Sequence, residues 1–587
     1  MKYQKTNDGK SELVIDSFYG LDRSAALCGG RGSFELRNLR CMKDGTLARR
    51  PGLVPLFTFP AEVRGAVCVT RGGREEWYAV AGDTVYCLSD TPSGCEATAI
   101  GTLTTQSGEV CFLCYDAALL MLDGEELYTL TPTEAGPAQA YVPLYGKEWR
   151  TDGTETHTVN ERPNLLTPQV RLQYRMSEKG QRFPLILLLP ETVDAILIDG
   201  VPYVGSYSYS KSGRVIALGK EIEAGSLVEF YVSMPENEER ARVVCAKEMA
   251  TIDRAESPRV LLYGIPGNNG VWISRAPDRE NIDSVRQVLP GACGLYVTQE
   301  DFTVIGDGVH AVTGALRHYD RSLVFTSKGT WMSHGEQNED GTLRLIPINT
   351  TLGCSQTGGA VMLGNRPITA FGGRILAWNS ETDERDECNA TPISAPVEPL
   401  LRNMRRGLQA FADTEQGDAW FYCPGKGGRL LIYQSEVDAW TTYDGILPQC
   451  IAQLGDRVTV GMGRTLYRMD EEATADTLVD DEHPEGVRVG IAAQYQSAFW
   501  DFDASDHVKR LCRATVVAAC SDHGVTLTLQ SVSGKRTSLA LKGDGGELSV
   551  MQGRAPMGRF RFLRVGVSSD DDAPLRLHSI RLSARCP

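Results

Sequence analysis

The sequence predicts an all-β chain: a β-propeller of about six to seven blades, with an inserted small β domain and a C-terminal β-sandwich. Three observations predict it. Period-2 alternation and short apolar runs bounded by Gly, Asp or Asn dominate the chain. Its 60 Gly and 28 Pro are spread along all 587 residues, which suits many short strands joined by turns. A unit also recurs, made of a strand, a tight turn, a second strand and a short polar connector.

The unit occurs at EEWYAVAGDTVYCLSD (75–90), EVCFLCYDAALLMLDGEELYTLTP (109–132) and RVLLYGIPGNNGVWISR (259–275). It returns at 316–333, 367–380, 418–444 and 450–470, several times ending in a Trp or Tyr strand such as Thr330-Trp331 or Ala377-Trp378. A sheet that cannot bury both faces alone packs on its neighbours, and repetition of such sheets gives radial blades. A plain array of β-sandwiches would also supply many strands. Helical periodicity is sparse, with MRRGLQAFAD (404–413) as one candidate.

The repeat stops between about 146 and 240. There Asp199-Gly200 joins two apolar runs as a hairpin turn, and Ser212-Gly213 leads into a further strand. The acidic stretch EEATADTLVDDEHPEG after residue 470 reads as a linker, and alternation resumes to the end. The expected organisation is therefore 1–145 for N-terminal strands and first blades and 146–240 for the inserted module. Residues 241–475 hold the remaining blades and 476–587 the sandwich.

No catalytic constellation emerges, and the chain is read as a non-enzyme with no cofactor and no metal. The eight histidines are scattered without ligand spacing. Cys111 and Cys114 would lie on opposite faces of a strand, which suits packing and not chelation or a redox pair. The cysteines sit mostly in apolar strand patterns and read as reduced, buried thiols. Gly29-Gly30-Arg31-Gly32 fits a turn better than a phosphate cradle. TSKGTW (326–331) lacks the Asp of the sialidase propeller turn, and the sequons at Asn349 and Asn389 are of the number chance supplies. There is neither an apolar run of transmembrane length nor a signal-type N-terminus, so the expectation is synthesis and folding in a cytosol.

The net charge of −15 argues against tight nonspecific binding of nucleic acid. It is compatible with simple solubility, or with a surface past which DNA slides without sticking.

The opening SFYGLDRSAALCGGRGSFELRNLRCMKDGTLARRPGLVPL resembles that of the tail nozzle proteins of short-tailed bacteriophages (the tail tubular protein B type) and related virion DNA-stabilisation proteins. The matching residues are Phe18, Gly20, Leu21, Asn38, Gly45, Arg50 and Gly52. A second similarity is carried by Gly264, Ser274 and a polar turn with Asp278. A third lies at Gly353-Cys354 and Gly372-Gly373, and a fourth at Asp438 and Trp440. The resemblance implies a propeller-bearing virion subunit assembled as a ring, of six by the family's pattern, at the tail. Its role would be to retain packaged DNA and conduct it at ejection. The implied partners are other tail proteins (adaptor, fibre or needle) and the host envelope at infection, with assembly in the host cytoplasm. It brings no catalytic residues. A carbohydrate-binding or glycan-hydrolysing propeller is the alternative, and a partner-binding cytosolic scaffold is a third reading.

Two further expectations concern contacts. Asp44-Gly45 should make a tight turn and Pro51-Gly52 should stop the strand, leaving Arg49 and Arg50 to meet an acidic neighbour across a subunit interface or to stand as solvated strand-end charges. The stretch 291–321 is expected to supply a loop or an interface contact.

Overall fold

Each instance of the recurring unit supplies neighbouring antiparallel strands of one four-stranded blade in the computed structural model of the chain. The structure describes all residues except 1, 6–9, 25–31, 92–93, 151–154, 186–187, 253–257, 320, 334–342, 380–387, 405–406, 426–428, 546–547, 555 and 586–587.

In chain order the blades begin with Val63–Arg71, Arg74–Ala81, Thr84–Thr91 and Gly94–Thr102 (blade 1), then Cys111–Tyr115, Ala118–Leu122, Leu127–Thr131 and Glu134–Pro137 (blade 2). Blade 3 holds Glu248–Ile252, Arg259–Tyr263, Gly270–Ile273 and Phe302–Val304. Blade 4 holds Val312–His318, Arg321–Thr326, Thr330–Ser333 and Ile346–Asn349. Blade 5 runs from Ala360–Leu363 to Ala390–Pro392 and blade 6 from Gln409–Asp413 to Ala439–Tyr443. Blade 7 has three consecutive strands, Cys450–Leu454, Arg457–Met462 and Thr465–Asp470; its fourth, Gly52–Thr58, comes from before blade 1. Repeated four-stranded meanders, the last completed by an N-terminal strand, define the fold as an all-β propeller.

The chain divides into two compact units. The first comprises Met1–Ala99, Phe325–Thr330 and Pro347–Pro587. In it blade 6 packs on blade 7 through Trp420, Ile432, Tyr443, Val460 and Tyr467. Blade 7 packs on blade 1 through Phe59, Val63, Ala79, Leu454 and Leu466.

The same unit contains the sandwich. One of its sheets pairs Lys10–Ile15 with Arg576–Arg585, which pairs in turn with Lys509–Ala519 and, through Leu577 to Leu47 and Arg576 to Ala48, with Leu47–Arg49. The other runs Ser33–Arg37, Ala493–Ser497, Leu563–Ser569, Val525–Ser531, Arg536–Leu541, and joins blade 6 where Arg37 pairs with Thr442. Leu13, Leu36, Leu527, Val565 and Ile580 fill the space between them. The strands within residues 2–49 thus belong with the C-terminal sheets, not with the first blades. Their partners lie hundreds of residues away, where alternation alone carries no pairing signal.

The second unit comprises Ile100–Val324 and Trp331–Ile346. Blades 2 and 3 share a core that includes Leu120, Leu122, Leu262, Trp272 and Leu295. The interruption in the repeat holds a β module of a six-stranded sheet, with Leu144–Trp149, Gln169–Met176 and Leu227–Ser233 at its centre, and a three-stranded sheet built on Val215–Ile222. Tyr174, Phe183, Ile216 and Phe230 form its core. Asp199 (φ 53°) and Gly200 (φ 78°) both occupy the left-handed region, the geometry a two-residue hairpin turn demands.

Two local expectations change. Among its described residues MRRGLQAFAD forms no helix: Gln409–Asp413 is the first strand of blade 6, each residue paired with one of Asp418–Tyr422; residues 405–406 lie outside the described set. The longest described helix is Arg279–Val288, inside the stretch read as a polar turn. Asp278 caps it, accepting from the amides of Glu280 (2.9 Å) and Asn281 (3.2 Å), while Ile282 and Val285 are buried. The following stretch, 291–321, supplies blade strands and the buried Cys293, Leu295 and Val297.

A Cβ at Gly20 would lie 2.6 Å from the Trp440 amide nitrogen, where real Cβ atoms are essentially never found. Gly20→Ala is expected to destabilise the fold by about 1–3 kcal/mol through overpacking, read as a lower midpoint in chemical denaturation.

Candidate functional site: an arginine clasp and an acidic cleft

The residues singled out near the N-terminus converge on one buried arrangement. Leu39–Cys41 and Leu47–Arg49 form a hairpin around Asp44-Gly45, with Gly45 at φ 80° and Asp44 Oδ1 accepting from the Thr46 amide at 3.0 Å. Asn38 precedes it in the left-handed region (φ 54°). Its Nδ2 donates to the Ala492 carbonyl (2.9 Å), and its Oδ1 accepts from the Asp444 amide (2.8 Å) and Arg50 Nε (3.1 Å).

Arg50 is 2% exposed and faces into the chain. Its Nη1 and Nη2 meet the two oxygens of Asp476 at 2.9 and 2.6 Å, a bidentate pair, and Nη1 also donates to the Pro51 carbonyl. Asp476 Oδ1 accepts the Leu53 amide at 2.9 Å, at the start of the strand that completes blade 7. Pro51-Gly52 therefore separates two strands and does not end pairing. Gly52 cannot be larger, because a Cβ would collide with the Ala475 carbonyl oxygen.

Arg49, 8% exposed, turns to the other side. It donates to Ser569 Oγ (2.6 Å), Asp571 Oδ1 (3.0 Å) and the carbonyls of Asp571 and Ala573. Against the push of burial, hydrogen bonds from Ser521 and Ser569 and the Arg49 pair hold the Asp571 carboxyl below its usual range. The expectation that Arg49 and Arg50 face a neighbouring subunit is therefore corrected, as is the reading of solvated strand-end charges. Both guanidinium groups are buried and bound within their own chain.

Beside the clasp a polar cleft opens around Arg40, with adjoining cavities of about 220 and 450 Å³. Arg40 Nη2 pairs with Asp418 at 2.8 Å and reaches Gln416 Oε1 at 3.4 Å. Asp418 stands opposite Asp413 across the first two strands of blade 6. Burial pushes Asp418 up to about 7, against the pull of Arg40 and helped by the charges of Asp413 and Glu436. A carboxyl that titrates there could serve acid–base chemistry. Its side chain is 1% exposed at the wall of the cleft, and one of its oxygens is held by Arg40.

The other flagged residues have structural roles. The described cysteines are thiols, and burial raises Cys41 and Cys450 to about 12. Cys111 is half-buried and Cys114 exposed on one strand. Ser274 is buried and its hydroxyl accepts the Val260 amide (2.8 Å); Trp440 Nε1 donates to the Ile393 carbonyl (2.9 Å). Gly29, Gly30 and Arg31 lie outside the described residues. Among the described residues no group of three or more His, Cys, Asp or Glu is placed to hold a metal ion, and no helix is long and apolar enough to cross a membrane.

No family model and no curated protein matches the sequence. Among solved structures, the WD40 β-propeller domain of Doa1 aligns over 71% of this chain and 95% of its own, at 9% identity and a TM-score of 0.33. U3-55K aligns over 72% and 99%, at 7% identity and 0.32. The exo-β-1,3-galactanase of Phanerochaete chrysosporium aligns over 91% and 100%, at 9% identity and 0.23. Scores this low do not bear on what the chain does, and the fold stands on its sheet topology.

Two outcomes are expected. Arg50→Met leaves Asp476 buried without its cation and should cost about 3–5 kcal/mol, with Arg50→Met/Asp476→Asn recovering part of the loss in the same denaturation assay. For Asp418 the native state keeps a proton that the unfolded chain releases, so its contribution to stability is full below about pH 4 and falls as pH rises to 7. Asp418→Asn lacks this titration, so the melting-temperature advantage of the native protein over the variant should shrink between pH 5 and pH 8.

Proposed function

We propose that this chain is a structural subunit of a bacteriophage tail, a nozzle or connector ring that retains packaged DNA and conducts it during ejection. Copies of the chain close into a ring of about six around a passage, as closed cyclic assemblies do. Its partners are neighbouring tail proteins, and its place is the virion tail after assembly in the host cytoplasm. It works mechanically and carries out no reaction.

One observation carries this reading. The residues on which the resemblance to nozzle proteins rests fall where this structure tolerates little else. Phe18 is buried edge-on to Tyr495 with centroids 5.0 Å apart. Gly20 and Gly52 have no room for a side chain, Asn38 and Gly45 hold positive φ, and Arg50 grips Asp476. A match on loose surface turns would mean little; a match on the positions that fix the clasp supports a shared fold element. The net charge of −15 adds support, since a channel for DNA must not hold the strand that slides through it.

The glycan-hydrolysing alternative requires two carboxylates facing a substrate. It finds less support, because the raised carboxyl that lines the cleft, Asp418, is paired with Arg40 at 2.8 Å.

Negative-stain images and light-scattering mass of the purified 64.2 kDa chain test the proposal. Rings of about six copies with an axial hole are expected; monomers at every concentration would overturn it.

A further inference from the structure

Three guanidinium groups gather on the outer side of the sandwich sheet that joins blade 6. Arg23 Nη1 donates to Glu35 Oε2 (2.9 Å) and to the Phe34 carbonyl (3.0 Å), and Arg429 pairs with the other oxygen of Glu35. Arg564 follows Leu563 and precedes Val565, both buried, so its side chain leaves the core on the opposite face. Its Cζ lies 3.6 Å from the ring centroid of Phe34 and 4.3 Å from that of Phe499, and the Arg23 Cζ lies 4.2 Å from the Phe34 ring.

The charges do not balance. Among the described residues Glu35 is the carboxylate paired with this set, so three cations face one anion. Arg564 has no ion pair among them, and its buried Nε has no hydrogen-bond partner. Burial and the nearby charge of Arg23 both lower its pKa, the mark of a cation that lacks a counter-charge. In a chain with 75 acidic and 60 basic residues, such an excess is local and unusual. Arginine held flat on aromatic rings, with its outer nitrogens free, is also the composition of a contact anchor.

A complementary element is present on the same chain. Ala475–Leu478 and Val487–Gly490 form a two-stranded sheet of their own, outside the blades. The turn between them exposes Asp480, Glu482 and Glu485, and Val487 and Val489 on its second strand are 39% and 43% exposed. It offers acidic groups for the guanidinium forks and apolar surface for Phe34 and Phe499.

We propose that the Arg23–Arg429–Arg564 patch is one side of a contact between copies of this chain, and that the acidic turn 479–486 of a second copy is the other. The two surfaces differ, so the contact is head-to-tail, the kind that generates rings. It rests on the ring assembly proposed above and assigns that assembly its electrostatic lock, which also lets copies of charge −15 approach one another.

A charge swap tests it. Arg564→Glu and, separately, Glu482→Lys/Glu485→Lys should each weaken self-association of the full chain by about tenfold or more, read by sedimentation and light scattering at low salt. The combined Arg564→Glu/Glu482→Lys/Glu485→Lys chain should recover it. Thermal melts check that each variant folds; should Arg564→Glu fail, Glu482→Lys/Glu485→Lys alone still decides. Wild-type rings unaffected by either reversal would overturn this contact and leave the ring reading standing. A wild-type chain that stays monomeric would overturn both. Binding of a single-stranded oligonucleotide that Arg564→Glu abolishes while rings persist would reassign the patch to nucleic acid and overturn the contact.

Discussion

The buried pair between Arg50 and Asp476 is the constraint on which the rest of the first unit depends. A guanidinium and a carboxylate removed from water are costly unless each finds all its partners. Here Arg50 has Asn38, the Pro51 carbonyl and both carboxylate oxygens, and Asp476 has the Leu53 amide in addition. Satisfying these groups fixes where the strand Gly52–Thr58 begins, and so the register in which it completes blade 7. That register in turn sets Phe59 against Tyr86 of blade 1. A bidentate pair is directional, and apolar packing alone would allow the strand to slide.

Asn38 couples this lock to the sandwich. Its left-handed backbone turns the chain from the sheet containing Ser33–Arg37 to the hairpin that follows. Its side chain ties Ala492 and Asp444, both far along the chain, to the nearby Arg50. Propeller and sandwich within this unit are therefore continuous through blade 6, by sheet pairing and by a polar knot. A load applied to the sandwich would be carried into the blade by hydrogen bonds in series.

What the sequence disclosed follows from the range of each interaction. The strand-turn-strand units are local, and all seven stretches that showed them supply blade strands. The Asp199-Gly200 turn is equally local, because its φ values depend on two residues. Arg49 and Arg50 looked like surface charges because a basic pair beside Pro-Gly has the same local pattern whether it meets water or Asp476, which lies far along the chain. The origin of the sandwich strands in residues 2–49 was hidden for the same reason. The helix at 279–288 did leave a trace, an Asp cap with Ile282 and Val285 three apart, but it was one short element amid strands. The raised carboxyl of Asp418 depends wholly on burial by elements distant in sequence.

The pairing of Lys10–Ile15 with Arg576–Arg585 carries a consequence for the order of events during synthesis. An early segment must wait until residues near 580 have left the ribosome, a delay on the order of a minute at usual elongation rates. Until then its backbone groups and the apolar side of Leu13 and Ile15 stay open to mispairing with other nascent chains. The molecule is thus sealed late and all at once. Crowding of translating ribosomes on one message therefore exposes its yield to that open edge.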